Sequence, residues 1–327
     1  MEELPPAVIA LVRSVSTAEY VTISAAGVPI DTPVLFFPSD GLKTFDIATG
    51  LSYPAKAERA RRNPRAALLI EGEPSEPVVA IAGMASVRDA DLQANAERYL
   101  SEASHMLPLN PSWELAQQAV WYWSRIIVEI TPVRVLWWDS RAEMDQAPHR
   151  WDAPAGIAFR PSDPAPQGSV SKSPQWERPH WHDLAERALA RAVPGHLSVI
   201  DEEGFPISVR ARAITLTDQG FALDLPKGLP SPIAGPATFT FGGVETFIGE
   251  MTSADFLKVE RTLPVFPITE DPTQLWEPSE HTRSELMRRL RYETERRGLP
   301  IPTIPAIRPA PTAGYKLRMA RFGVNVD

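Results

Sequence analysis

From residue 19 to residue 138 the chain is a series of short strand-type runs separated by turn signals. It lacks the strand–helix alternation that a parallel sheet requires. Residues 19–25 (EYVTISA) alternate apolar with small or polar side chains, as a half-buried strand does, and Ala26-Gly27 marks a turn. Residues 33–37 (PVLFF) read as a second strand, Pro38-Ser39-Asp40-Gly41 as a turn, and residues 44–48 (TFDIA) as a third strand. Residues 52–63 predict a short helix with Pro54 in its first turn and a stop before Pro64. Residues 66–70 (AALLI) and 78–87 (VVAIAGMASV) are buried-type strands. Residues 89–103 carry Leu92, Ala96, Tyr99 and Leu100 at helical spacing, and residues 125–138 (RIIVEITPVRVLWW) form a long strand interrupted at Pro132. About six strands with two small helices predict a small antiparallel barrel with inserted helices.

The series then recurs. Residues 25–30 (AAGVPI) match 202–207 (EEGFPI), with Gly27 and Gly204 offset by 177 positions. Residues 66–70 match 237–241 (ATFTF) at offset 171, 81–87 (IAGMASV) match 247–253 (FIGEMTS) at offset 166, and 128–132 (VEITP) match 259–264 (VERTLP) at offset 131. The order is kept while the offsets shrink, which predicts a degenerate second copy that has lost loops and helices. Four parts follow: a barrel over 1–139, a linker over 140–176 rich in Pro, Ser, Ala and Asp, a second barrel over 177–270 opening on a helix at 181–193, and a C-terminal part over 271–327. Trp151, Phe159 and Trp176 are read as pinning parts of the linker to a surface. In the last part Thr282-Arg283-Ser284-Glu285 has the form of a capping box opening a helix through Arg297, with Gly298 at its end and an extended, proline-rich stretch over 299–311. The fold class is therefore mainly β with α, with two tandem barrels, a C-terminal helix and an extended tail.

Composition narrows the function. With 33 Lys+Arg against 41 Asp+Glu, the net charge of −8 argues against a nucleic-acid partner, since phosphate backbones need a basic surface. The absence of cysteine excludes disulfides, thiol catalysis, thiolate zinc sites and iron–sulfur clusters. No apolar run approaches the ~20 residues that span a bilayer, and the acidic start does not resemble a secretory leader, so no membrane partner and a cytoplasmic location are expected.

The chemistry-bearing stretch is TFDIATGLSYPAKAERARRNPRAALLIEG (44–72). Thr49, Gly50 and Ser52 stand where a strand passes into a helix, where backbone N–H groups and hydroxyls hold anions. Lys56 follows, and Arg59 and Arg62 share one helix face. The same residues also suit a solvated basic helix over packed strands. Nothing in the sequence designates a catalytic acid or base.

Taken in order, VTIS, G-x-P, PVLFF, F-x-I-A-T-G-x-S, K-A, NPRAALLI, G-x-A-x-V and RIIVEITPVRVLWWD resemble the pyridoxamine 5′-phosphate oxidase-like flavin-binding split-barrel superfamily over residues 15–139, and weakly over 195–266. The resemblance implies a split barrel binding FMN, or alternatively a deazaflavin coenzyme, near the junction of two barrels. It implies phosphate contacts at Thr49, Ser52 and Lys56, with the strand from Thr32 through Pro33 and Val34 to Leu35 beside the ring, and Gly50 and Arg59 complete the set of candidate cofactor-binding residues. It also implies a flavin-dependent oxidoreductase acting on a small organic substrate, in a homodimer or an intramolecular pseudo-dimer. A non-catalytic flavin or haem binder, or a scaffold, is the alternative. The vitamin oxidase carries an Arg and a Lys on its second strand, whereas residues 31–37 here hold neither, which argues against that enzyme's reaction. The second copy lacks the basic helix, so it is expected to form the opposite wall of the first barrel's pocket.

Other motifs read more plainly. His180-Trp181-His182 is taken as a helix entry, with no metal ligand set around it. Trp121-Tyr122-Trp123 and Trp137-Trp138 are taken as packing aromatics, and Arg288, Arg289, Arg291, Arg296 and Arg297 as a solvated or salt-bridged helix face.

Overall fold

The computed structural model describes residues 4–106, 111–171, 179–230, 233–265, 276–321 and 323–324. Trp176 lies outside the described residues. The N-terminal half begins with α1 (Pro6–Ser14) and holds six strands: β1 (Thr17–Ile23), β2 (Pro29–Pro38), β3 (Phe45–Gly50), β4 (Arg65–Glu71), β5 (Val78–Arg88) and β6 (Arg125–Trp138). They pair antiparallel in the order β3-β2-β1-β4-β5-β6, and β3 also pairs with β6, closing a barrel. Alternation along each strand sends one face inward, so Tyr20, Phe36, Ile47, Leu68, Ile81 and Val128 form its core. The interruption expected at Pro132 is a bulge. Gly83 faces Pro132 and Ala82 faces Arg134, so Val133 is the extra residue beside a proline that has no N–H to donate.

Helices fill the connections: α2 (Ala55–Arg62), α3 (Leu92–Ala103), α4 (Trp113–Ala116) and α5 (Val120–Trp123). Asp91 caps α3 by accepting the Ala94 N–H. Within the expected linker a short strand, β7 (His149–Asp152), pairs with β6 and packs Trp151 on the core, while Phe159 stays exposed.

After α6 (Trp181–Ala190) the second half holds β8 (Gly195–Ile200), β9 (Pro206–Arg210), β10 (Ala213–Leu216), β11 (Gly220–Asp224), β12 (Gly235–Phe241), β13 (Glu245–Ser253) and β14 (Phe256–Thr262). Their order is β10-β11-β14-β13-β12-β8-β9. The stretch β9-β8-β12-β13-β14 repeats β2-β1-β4-β5-β6, and all four sequence matches fall on equivalent strands. Even the turns agree. Gly27 and Gly204 both sit at positive φ (77° and 81°), in hairpins closed by Ser24 N–H to Val28 and Asp201 N–H to Phe205. Gly83 and Gly249 both mark bulges. β11 pairs with β14 as β3 does with β6, but no pairing joins β9 to β10 or β11, so the second sheet stays a half-barrel. Its core is completed by the outer face of the first barrel, through Leu69, Val78, Ala80, Leu136 and Trp138.

The C-terminal part returns to the first barrel. In α7 (Glu280–Arg297) the cap is Ser279, whose hydroxyl accepts the Thr282 N–H, so the helix starts three residues before the expected box. Gly298 ends it at φ 63°. Trp276, Leu290, Ile301 and Ile304 pack on the barrel core, and α8 (Ala313–Ala320) lies against α1 and α3.

Candidate functional site

The strand-to-helix corner at residues 49–59 brings Lys56 and Arg59 together, while the one carboxylate in that span, Glu58, faces Arg61, Arg296 and Arg297. Barrel closure sets Gly50, the last residue of β3, directly across from Arg125, the first of β6. A Cβ added at Gly50 would lie 3.5 Å from Arg125 Nη1, in ordinary contact, so the guanidinium reaches this corner. Arg125 lies 4.2 Å from the Tyr99 ring centroid and 4.4 Å from that of Tyr122, and its buried Nε has no hydrogen-bond partner. Among the described residues Lys56 makes no hydrogen bond or ion pair. Burial first, and then repulsion from Arg59 and Arg125, pushes its ammonium down to about 8. Arg59 donates from Nε to Thr22 Oγ1 at 2.7 Å, and burial lowers it to about 10.

The hydroxyls expected to join them are engaged elsewhere. Thr49 is buried with Oγ1 3.5 Å from the Tyr53 carbonyl. Ser52 is completely buried. Its Oγ donates to the Leu286 carbonyl at 3.3 Å, and its own carbonyl accepts from Arg289 Nε at 2.8 Å. Both partners belong to α7, which therefore lies over the turn into α2. Arg289 is 1% exposed, its Cζ lies 4.5 Å from the Tyr53 ring centroid, and its Nη1 is buried without a partner. The expectation of a solvated or salt-bridged Arg289 is thus corrected. Arg288 pairs with Glu285, and Arg296 and Arg297 pair with Glu293, as expected of them.

Thr32, Pro33 and Val34 lie on β2, whose pairing with β3 reaches back to Phe36, opposite Ile47, and stops short of them. Val34 is buried, and Thr32 and Pro33 are half-buried. The outer side of Pro33 meets the β12–β13 turn, where a Cβ on Gly243 would come within 2.2 Å of Pro33 Cδ. Beside this contact the two halves meet over polar groups. Asp31 Oδ2 accepts from Ser198 Oγ and Ser208 Oγ, each at 2.9 Å. His196 stands between Glu19 (3.3 Å) and Glu71 (3.0 Å). Glu19 Oε2 and Asp31 Oδ1 are both buried without a donor, and the two carboxyls lie within hydrogen-bonding reach. One proton shared between them explains both orphans. Burial, then Asp31 and Glu71, raises Glu19 to about 9, so it is protonated at neutral pH and its contact with His196 is not a charge pair. Burial pulls Glu71 upward too, but the hydrogen bond and charge of His196, with Arg141 and Arg210, outweigh it and hold Glu71 below the ordinary range.

His180 caps α6 by accepting the His182 N–H. Trp121, Trp123 and Trp137 pack in the first core and Trp138 in the second. Sequence reasoning missed Arg125 and Arg289, which lie 69 and 233 positions from Lys56. Only the β3–β6 register held a signal for the first.

No protein-family model and no curated protein matches the chain. Similar solved structures include a pyridoxamine 5′-phosphate oxidase-related FMN-binding protein of Nostoc punctiforme (17% identity, 42% of this chain and 85% of that one, TM-score 0.32). They also include general stress protein 26 of Bacillus anthracis (15%, 45% and 96%, 0.32) and the haem storage protein HutZ of Vibrio cholerae (14%, 39% and 89%, 0.29).

Proposed function

We propose that the chain binds a phosphorylated flavin-type cofactor at the Lys56 corner, FMN first and a deazaflavin coenzyme second, and serves as an oxidoreductase for a small organic substrate. The observation that carries this reading is Lys56 itself, a half-buried ammonium with Arg59 and Arg125 for neighbours and no ion-pair partner among the described residues. Two or three desolvated cations without a counter-charge are unfavourable unless an anion joins them. A phosphate monoester fits that requirement in charge and in its oxygen acceptors. The ring, when bound, would supply hydride transfer. The chain's share is to hold the phosphate through Lys56 and Arg59, orient the group and keep water from it.

A second reading rests on a different observation. Ser52 is sealed by α7 and Pro33 by Gly243. Those covers favour a protein that holds a flavin or haem without turnover, or a scaffold.

The absorption spectrum of purified protein, before and after adding FMN, separates the readings. A flavin band that bleaches with a nicotinamide and recovers with an acceptor supports the enzyme. A stable band without turnover supports the binder. No band and no binding of added FMN or deazaflavin removes the cofactor reading. Lys56→Ala is expected to weaken FMN at least several-fold, and unchanged affinity by titration means the phosphate lies elsewhere.

A further inference from the structure

We propose that Arg125 is a second anion ligand of the Lys56 corner and sets its preference for a phosphate monoester dianion; this rests on the cofactor reading above. A guanidinium offers five N–H donors in a rigid plane. In Arg125 the guanidinium carbon lies close to both the Tyr99 and Tyr122 rings, yet its buried Nε has no acceptor and it forms no ion pair among the described residues. Carboxylates on the neighbouring strands are already taken: Asp46 pairs with Arg98, and Glu129 with Arg88. Contact with two rings places the group but leaves its Nε donor unsatisfied. The barrel-closing register carries the group to the corner, where its Nη1 comes close to Gly50. Its charge acts directly on Lys56. Two fixed positive charges, one a point donor and one a planar fork, match the two negative charges of a terminal phosphate. A singly charged diester would leave one of them uncompensated.

The test titrates wild type, Arg125→Gln, Arg125→Lys and Lys56→Ala with FMN and with riboflavin, which lacks the phosphate. Flavin fluorescence gives the affinity, and the melting temperature is followed with inorganic phosphate as a separate probe. Arg125→Gln is expected to weaken FMN at least tenfold while leaving riboflavin within twofold, and Arg125→Lys to fall between. If Arg125→Gln keeps FMN within twofold of wild type while Lys56→Ala loses it, Arg125 only braces the two tyrosines and the proposal fails. Should wild type bind no flavin, but phosphate raise its melting temperature and not that of Arg125→Gln, the anion site stands and the cofactor reading falls. A wild type indifferent to both probes refutes both. The melting temperature without ligand identifies a variant that has failed to fold, in which case Arg125→Lys decides by the same criteria.

Discussion

The hold of α7 on the corner is open to measurement through Arg289→Ala. Its Nε donates to the Ser52 carbonyl in a site shielded from solvent, and a charged hydrogen bond of this kind contributes about 2 kcal/mol. The guanidinium over Tyr53 adds about 1 kcal/mol. Against these, removing the unpartnered Nη1 returns about 1 kcal/mol of desolvation. The net loss is about 2 kcal/mol, which for opening of the helix alone means amide exchange in α7 about 30-fold faster. Hydrogen exchange read by mass spectrometry over residues 280–297 is the assay, with Arg291→Ala, an exposed position on the same helix, as control. If α7 closes the corner, Arg289→Ala also takes up FMN faster. Exchange within threefold of wild type would show that Arg289 does not fasten the helix.

Three further outcomes follow from the geometry. Because Lys56 stands near 8 without ligand, FMN affinity should fall about tenfold from pH 7 to pH 9, and Lys56→Arg should flatten that profile; a wild-type profile that does not fall counts against Lys56 as phosphate ligand. Glu19 is raised from 4.5 to about 9, so its contribution to stability is whole below 4.5 and is lost as the pH climbs towards 9; denaturant melts should show Glu19→Gln gaining on wild type across that window, and parallel curves would contradict the shared proton. A Cβ at Gly249 would meet the Lys258 carbonyl oxygen at 1.9 Å, so Gly249→Ala should cost about 1–3 kcal/mol or more by urea denaturation, and an unchanged midpoint would mean that the bulge relaxes freely.

Much of the fold is legible because the signals are local. The span of β6 follows from its alternation, and the paired Gly27 and Gly204 turns from glycine at positive φ. What escaped was decided at long range. The half-barrel stays open because β10 pairs with β11, and neither pairs with β9, which no segment announces by itself. The early start of α7 came from Ser279, directly after Pro278, since nothing between 279 and 282 stops the helix from extending back to it. Arg289 read as a surface residue because α7 is charged on every side. Its buried face includes Arg289 and Glu293, a burial that apolar periodicity cannot reveal. At the site, Lys56 stood out by its spacing after a strand end, whereas Arg125 needed the barrel to close before it had a neighbour.

The seam between the halves carries a further consequence. Glu19 and His196 are separated by the same 177 positions as Gly27 and Gly204, and so are Asp31 and Ser208. Each acid therefore meets its own counterpart across a pseudo-twofold axis. Two N-terminal barrels joined the same way would set Asp31 against Asp31 at a buried seam, where the Ser208 hydroxyl now supplies a donor instead. The duplicated half thus covers this face of the first barrel with a seam whose two sides are no longer alike.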